Sequence, residues 1–405
     1  MSGKSNRSLI LFSAERVNDC FAGVDAAGAK PLTMHNELVL AKELAMTRFF
    51  ALLFAVVAFT VISASDFPQP RNTEPLGKAP PLGAEAAAKA IALPRGFNIT
   101  VFASEPRVQN PIGIAWDKKG RLWVAENYTY AESPLRFDLA HRDRVVILED
   151  SDNDGVAEKR SVFTDQVQML TSVEVGHGGV WIGAAPELLY IPLDPTGDKP
   201  AGEPRVLLDG WGLQDTHETL NTFIWGPDGW LYGAHGSTCT ADVKGVKFLG
   251  QAIWRFHPVT EEFEVFAEGG GNTFSIEFDA QGRVFSGSNY GQTRGLHYAQ
   301  GALYIKGWSK HGPAMNPYRF GWFEHMAHQG YEPRFPQAML LYEGGAIPRY
   351  EGHIVAGMAL TSRVMASKVA RDTSTFQTAD IETTVLSINR WFRPVDVKTA
   401  PDGAI

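Results

Sequence analysis

Cysteine is almost missing from this chain: among 405 residues there are only Cys20 and Cys239, 219 positions apart. No CxxC and no CxxCH occurs, which excludes a zinc knuckle and an attached c-type haem, and two cysteines so far apart are not expected to form a disulfide. Charge is also sparse, at 20% of residues with a net charge of −8, so there is no basic stripe to neutralise phosphates and nucleic acid is excluded as a partner. GxGxxG, a Walker loop, GxSxG and HExxH are all absent, which removes nicotinamide, nucleotide, serine-hydrolase and zincin chemistry. Long apolar runs are lacking too. The run Phe49–Ile62 is 14 residues, short of a bilayer span.

What is present is glycine, proline and aromatic side chain: 40 Gly, 24 Pro and 11% aromatic within 44% hydrophobic residues. That composition fits a turn-rich β protein with a substantial core. Residues 1–45 have no periodicity and are read as a leader or an over-extended start. Residues 46–65 follow the order of a secretory signal peptide, with Met46-Thr-Arg48, then the apolar run, then Ser63-Ala64-Ser65. The expected location is therefore outside the cytoplasm, in the periplasm or cell envelope. Residues 66–92 read as a linker with a short helix over Glu85–Ala92, and the folded body is expected over 93–405.

From Leu93 onward one pattern returns: apolar alternation, a glycine turn, and a second apolar or aromatic strand. Its turn glycines are Gly120, Gly179, Gly229 and Gly282, spaced by 59, 50 and 53 residues, and a last copy opens at Val395 and reaches Gly403. In the clearest copy Thr222–Trp225 is one strand, Gly226-Pro-Asp-Gly229 the turn, and Trp230–Tyr232 the next. Units of about fifty residues with four short strands mark blades of a β-propeller. The expected fold is an all-β, six-bladed propeller whose final blade is cut short. A weaker copy is placed at Arg349–Met365, and an aromatic insertion at Tyr298–Gln337 is expected to cover one face.

Asp150, Asp152, Asp154 and Glu158 place carboxylates at alternate positions around Gly155, with the Val156 carbonyl between them. That is the first half of a calcium loop, although Ser161 stands where a helix–loop–helix site has its bidentate glutamate. An Asp/Asn-rich hairpin turn that binds nothing is the alternative. His177, His217 and His235 flank the hairpins and are expected at strand ends that converge on the central channel, where imidazole serves as a general base. Asn221 brackets the same hairpin as His217. Asn289, Arg294 and Arg319 lie in polar, glycine-rich stretches suited to gripping an anionic or polyhydroxylated ligand. His325 and His328 read as surface residues.

Trp225-Gly-Pro-Asp-Gly-Trp-Leu-Tyr232 with His217 and Asn221 upstream, Leu148–Gly155, and Phe392–Asp396 with Pro401-Asp-Gly403 together resemble the propeller of the membrane-bound dehydrogenase domain proteins. More distantly they are similar to the soluble glucose/sorbosone dehydrogenases that use pyrroloquinoline quinone (PQQ) with calcium. The resemblance implies a sugar or polyol dehydrogenase in which His217 is the base, His235, Asn221, Asn289 and Arg294 line the cofactor, and a c-type cytochrome accepts electrons. It departs at Gly233-Ala-His-Gly-Ser-Thr238, where the quinone enzymes carry an acid and an Arg-Asn pair. Two other functions stay open: a carbohydrate-binding or scaffold propeller without catalysis, and a lactonase-type hydrolase with calcium on Glu126, Glu174 and Asn221.

Overall fold

The computed structural model describes residues 8–14, 81–131, 135–216, 219–307, 319–331 and 338–405. The signal-peptide segment 46–65 and most of the linker lie outside the described residues. The single α-helix among the described residues is Ala84–Lys89, which overlaps the stretch Glu85–Ala92 read as helical. Among the described residues, no helix is long and apolar enough to cross a membrane.

The remainder is β-structure. Four sheets contain an up-and-down meander of four antiparallel strands. The first is Pro111–Trp116, Leu122–Glu126, Asp143–Glu149 and Lys159–Val167. The second is Leu170–Gly176, Gly179–Ala184, Glu187–Pro192 and Arg205–Asp209. The third, Asn221–Trp225, Leu231–His235, Ala252–Phe256 and Phe263–Gly270, is widened by Ala302–Lys306 and Phe320–Phe323 running parallel at its edge. A fourth sheet keeps three strands, Glu277–Phe278, Val284–Ser286 and Leu296–Tyr298. The fifth, Ala338–Tyr342, His353–Met358, Arg363–Asp372 and Thr375–Ser387, contains the weaker copy and takes in Ile91–Ala92 as an extra strand. Residues 8–14, within the stretch read as a leader, form a strand antiparallel to Phe97–Ser104.

Each sheet packs on its neighbours, and this gives the propeller-like arrangement. Val145 and Phe163 of the first sheet meet Val173 and Ile182 of the second. Trp181 and Leu188 of the second meet Phe223 and Trp254 of the third. Tyr232 and Phe266 meet Val284 and Leu296, and Phe285 meets Met339 and Ile354. Val397 and Ile405 pack with Leu340 and Val355 of the fifth sheet, while Asp396 Oδ2 accepts the Ile114 N–H of the first at 3.2 Å. Cross-sheet contacts of this kind, rather than the strand ladders, hold the radial order, because no sheet covers both of its own faces.

Glycine is demanded where an aromatic ring lies flat on a strand. A Cβ on Gly233 would stand 2.0 Å from Trp254 Cζ2, and one on Gly179 would stand 2.2 Å from Tyr190 Cε2. The turns repeat one device. Asp117 Oδ1 accepts from the N–H groups of Lys119 and Arg121, and Asp279 Oδ1 does the same for Gln281 and Arg283. All these turns sit at one face of the molecule, called here the turn face. The other ends of the same strands define the loop face.

Candidate functional site at the loop face of the channel

The innermost strands of the first three sheets share an irregularity. Their pairing slips between Pro111 and Gly113, between Leu170 and Ser172, and between Asn221 and Phe223. Each slip is a β-bulge that leaves one residue unpaired and re-aims it. The residues so displaced, Ile112, Thr171 and Thr222, all line one cavity of about 20 Å³, with Asn221, Asp396 and Lys398. Thr222 has φ of 50°, a conformation that a β-branched residue rarely adopts.

At the loop ends of the strands, polar atoms are buried without partners among the described residues. The Asn221 side chain donates from Nδ2 to the Thr219 carbonyl at 2.9 Å, but its Oδ1 has no donor, although the residue is only 3% exposed. His235 is fully buried, with Nδ1 3.0 Å from the Gly250 carbonyl and the ring against Phe248. A carbonyl accepts only, which assigns the proton to Nδ1 and leaves Nε2 as an acceptor that no donor reaches among the described residues. Burial pushes this imidazole down to about 4, so it is neutral at neutral pH. Asn289, whose N–H is held by the Asn272 carbonyl, likewise leaves Oδ1 unpartnered and buried. Buried polar atoms are rarely orphaned, and three acceptors at one face mark a place that expects donors.

Two cations of this face, Lys306 and Arg294, are committed. Lys306 Nζ lies 3.0 Å from Glu268 Oε2 and donates to the Leu249 carbonyl at 2.6 Å, both side chains being buried. Arg294 is not a rim residue. Its guanidinium is buried and reaches Asp380 through both carboxylate oxygens at 2.9 Å, with Ser367 Oγ and the Tyr331 carbonyl beside it. It ties the loop between the second and third strands of the fourth sheet to the fifth sheet. Desolvation opposes ionisation of Asp380, but His328, Ser367 and Arg294 outweigh it and hold the carboxyl at about 2.

Three sequence expectations change here. His177 lies in the turn between Gly176 and Gly179, exposed and 4.3 Å from the Trp225 ring, and so stands at the turn face, away from His235. His325 and His328 are not surface residues. His325 bridges the carbonyls of Tyr290 and Ile305, and the His328 side chain is buried on Thr378 Oγ1 at 2.9 Å. Glu126 and Glu174 do not share an ion site, because they stand at opposite ends of their strands. Glu126 accepts from Gln109 N and the Tyr128 hydroxyl at the loop end, whereas Glu174 pairs with Trp181 near the turn. His217, the expected base, lies outside the described residues.

Asp150, Asp152, Asp154 and Glu158 do come together, each offering a carboxylate oxygen within 4.8 Å of the others. They sit in the turn between Asp143–Glu149 and Lys159–Val167, at the turn face. Asp150 accepts from the N–H groups of Asn153 and Gly155, and Glu158 from Ser151, so the loop is pre-bent around its acids. The oxygen-only donor set suits a hard cation such as calcium. PQQ, a tricarboxylate, does not fit equally well. Lys306 and Arg294, the cations buried at the loop face, already neutralise carboxylates, and Gly233–Thr238 contributes only the neutral His235.

Sequence reasoning missed a charged cluster along the channel. Glu174, Glu277, Asp396 and Lys398 come from the second sheet, the fourth sheet and the last segment, and each feels the charge of Lys398 or Asp396. Burial pushes Glu174 up to about 7 and Glu277 up to about 8, and raises Asp396 as well. On Lys398 the three carboxylates outweigh desolvation and raise it. Glu174, Asp396 and Lys398 retain partial contact with solvent along the channel although protein surrounds them. The signal in the sequence was a charged residue at the fourth position of three copies, Glu174, Glu277 and Lys398, where the other two have Ala115 and Trp225.

The fold and these buried sites define an all-β, propeller-like protein. The chain belongs to the family described as a domain of unknown function (DUF7133), whose model matches residues 83–405. No curated protein matches it. Among solved structures it is similar to a Thermus thermophilus protein provisionally assigned as an oxidoreductase (glucose dehydrogenase), at 16% identity and a TM-score of 0.50, covering 73% of this chain and 89% of that one. It is also similar to the PQQ-bound aldose sugar dehydrogenase of Streptomyces coelicolor, at 14% identity and a TM-score of 0.45, over 71% and 84% of the two chains. The soluble aldose sugar dehydrogenase of Escherichia coli gives 13% and 0.46, over 73% and 92%.

Proposed function

We propose that this chain is an exported, dehydrogenase-like propeller of six blades that binds a sugar or polyol at its loop face, with His217 taking the proton of the reacting hydroxyl. The observation that carries this reading is the set of three buried acceptors without donors: Asn221 Oδ1, His235 Nε2 and Asn289 Oδ1. A polyol is a ligand rich in hydroxyl donors. The assignment of the Thermus protein as a glucose dehydrogenase supports the same substrate class. The commitment of Lys306 and Arg294 favours a second reading, a carbohydrate-binding propeller without catalysis.

A dye-reduction assay of the protein with PQQ, calcium and a panel of aldoses and polyols, run beside equilibrium binding of the same sugars, separates the two. The dehydrogenase reading expects turnover that falls at least ~100-fold in His217→Ala, the usual contribution of a positioned base. Binding without turnover supports the second reading. Absence of both overturns the two together.

Calcium belongs at the turn face in this reading, on Asp150, Asp152, Asp154, Glu158 and the Val156 carbonyl, as a brace for the first sheet. Calcium at a hundred times its Kd is expected to stabilise the fold by about 2.7 kcal/mol, and Asp152→Ala is expected to remove that gain. A melting temperature indifferent to calcium and to chelator would contradict the site.

A further inference from the structure

The cavity beneath Asn221 is built for a guest of a particular kind. It is lined from four directions, by the bulged inner strands of the first three sheets and by the last segment, and its volume of about 20 Å³ suits one water-sized group. Two of its lining residues have an oxygen that makes no hydrogen bond, Asn221 Oδ1 and Thr171 Oγ1, and the first belongs to a side chain almost wholly removed from solvent. On the remaining side stand Asp396, whose oxygens hold the N–H groups of Ile114 and Val397, and Lys398, kept cationic by the carboxylates around it.

The chemistry of this lining selects among guests. A carboxylate would meet Asp396 across the cavity. An ammonium or a metal cation would meet Lys398. An apolar group would leave Asn221 and Thr171 without partners. A hydroxyl both donates and accepts, so it, like a water molecule, satisfies an amide oxygen on one side and an ammonium on the other.

We propose that this axial cavity is a hydroxyl subsite, in which Asn221 Oδ1 and Thr171 Oγ1 accept the hydrogen bond of a ligand hydroxyl and Lys398 donates to its oxygen. The subsite rests on the loop-face reading above and deepens it, naming the residues that hold one hydroxyl of the sugar or polyol at the channel mouth. Lys398 and Asn221 act here as specificity-determining residues.

The test uses methanol as a single hydroxyl and glucose as a full ligand, both added to the whole protein labelled with ¹⁵N at asparagine. Methanol is expected to shift the Asn221 side-chain amide saturably, and Thr171→Val and Lys398→Met are each expected to weaken that binding, and glucose binding, by tenfold or more. Melting temperatures show whether the variants are folded. Thr171→Val removes one hydroxyl and keeps the side chain's volume, so it remains informative if Lys398→Met does not fold. Glucose that binds equally well to wild type and to folded variants, without moving Asn221, overturns the subsite and leaves the loop-face reading intact. Methanol that shifts Asn221 in a protein that binds and oxidises no sugar or polyol keeps the subsite and overturns that reading. A protein in which neither ligand moves the Asn221 amide overturns both.

Discussion

Glu268→Ala is expected to destabilise the fold by about 3–5 kcal/mol, because it leaves Lys306 buried as an uncompensated cation. Both side chains are essentially inaccessible, and the ammonium has only the Leu249 carbonyl besides Glu268 as a hydrogen-bond acceptor. Burial already lowers Lys306, and the attraction of Glu268 opposes that shift, so removing the carboxylate pushes the amine further towards its neutral form. The pair bridges the fourth strand of the third sheet and the parallel strand Ala302–Lys306. Its loss should therefore loosen the edge that faces the neighbouring sheet. Denaturant unfolding of the single variant checks the cost. The double replacement Glu268→Leu with Lys306→Leu should recover most of it, since two apolar groups of similar size leave no charge unpaired. A single variant that costs less than about 1 kcal/mol would show that the pair is open to water.

The second large effect is a loss of stability as pH rises. Glu174 and Glu277, pushed up to about 7 and about 8 from an ordinary 4.5, hold protons in the folded chain that the unfolded chain has already released. Their contribution is complete below pH 4.5 and is lost as pH rises through 7 to 8. Asp396 shifts in the same direction. Lys398, raised above its ordinary 10.5, loses its contribution only in more alkaline solution. His235, lowered to about 4 from 6.5, acts in the opposite sense, its contribution falling away as pH drops below 6.5. Stability should therefore peak near pH 4.5, since above it the two glutamates outweigh the single opposing slope of His235, and fall by a few kcal/mol between pH 6 and pH 9, each tenfold change in proton affinity being worth about 1.4 kcal/mol. Glu277→Gln should flatten the alkaline side of that curve. A melting temperature that holds level from pH 6 to pH 9 would mean that the channel acids ionise without cost.

The hairpins were legible because their determinants are local. Gly229 adopts φ of 81° in the Gly226–Gly229 turn, as the GPDG sequence requires, and the Asp150 loop gathers its acids because alternate residues of a tight loop point inwards. The all-β character and the radial likeness follow from repeating such hairpins at a regular period. Among the described residues four sheets have a complete meander and the fourth in order keeps three strands, with Ala302–Lys306 joining the third sheet instead. Contacts that depend on ring order were not legible. Arg294 meets Asp380 across 86 residues, and Lys398 meets Glu174 and Glu277 only because the last segment returns to the axis. His177 was assigned to the channel mouth because sequence proximity to a hairpin does not say which end of it a residue occupies. The strand direction decides that, and it sends His177 to the turn and His235 to the loop face.

The most direct test of a ligand site at the loop face is amide hydrogen exchange on the protein with and without a bound sugar or polyol. Protection is expected at Thr219–Thr222 and at Ser288–Tyr290, with Gly226–Trp230 and His177 at the opposite face unchanged. Protection confined to those turns, or spread evenly over the sheets, would contradict the account.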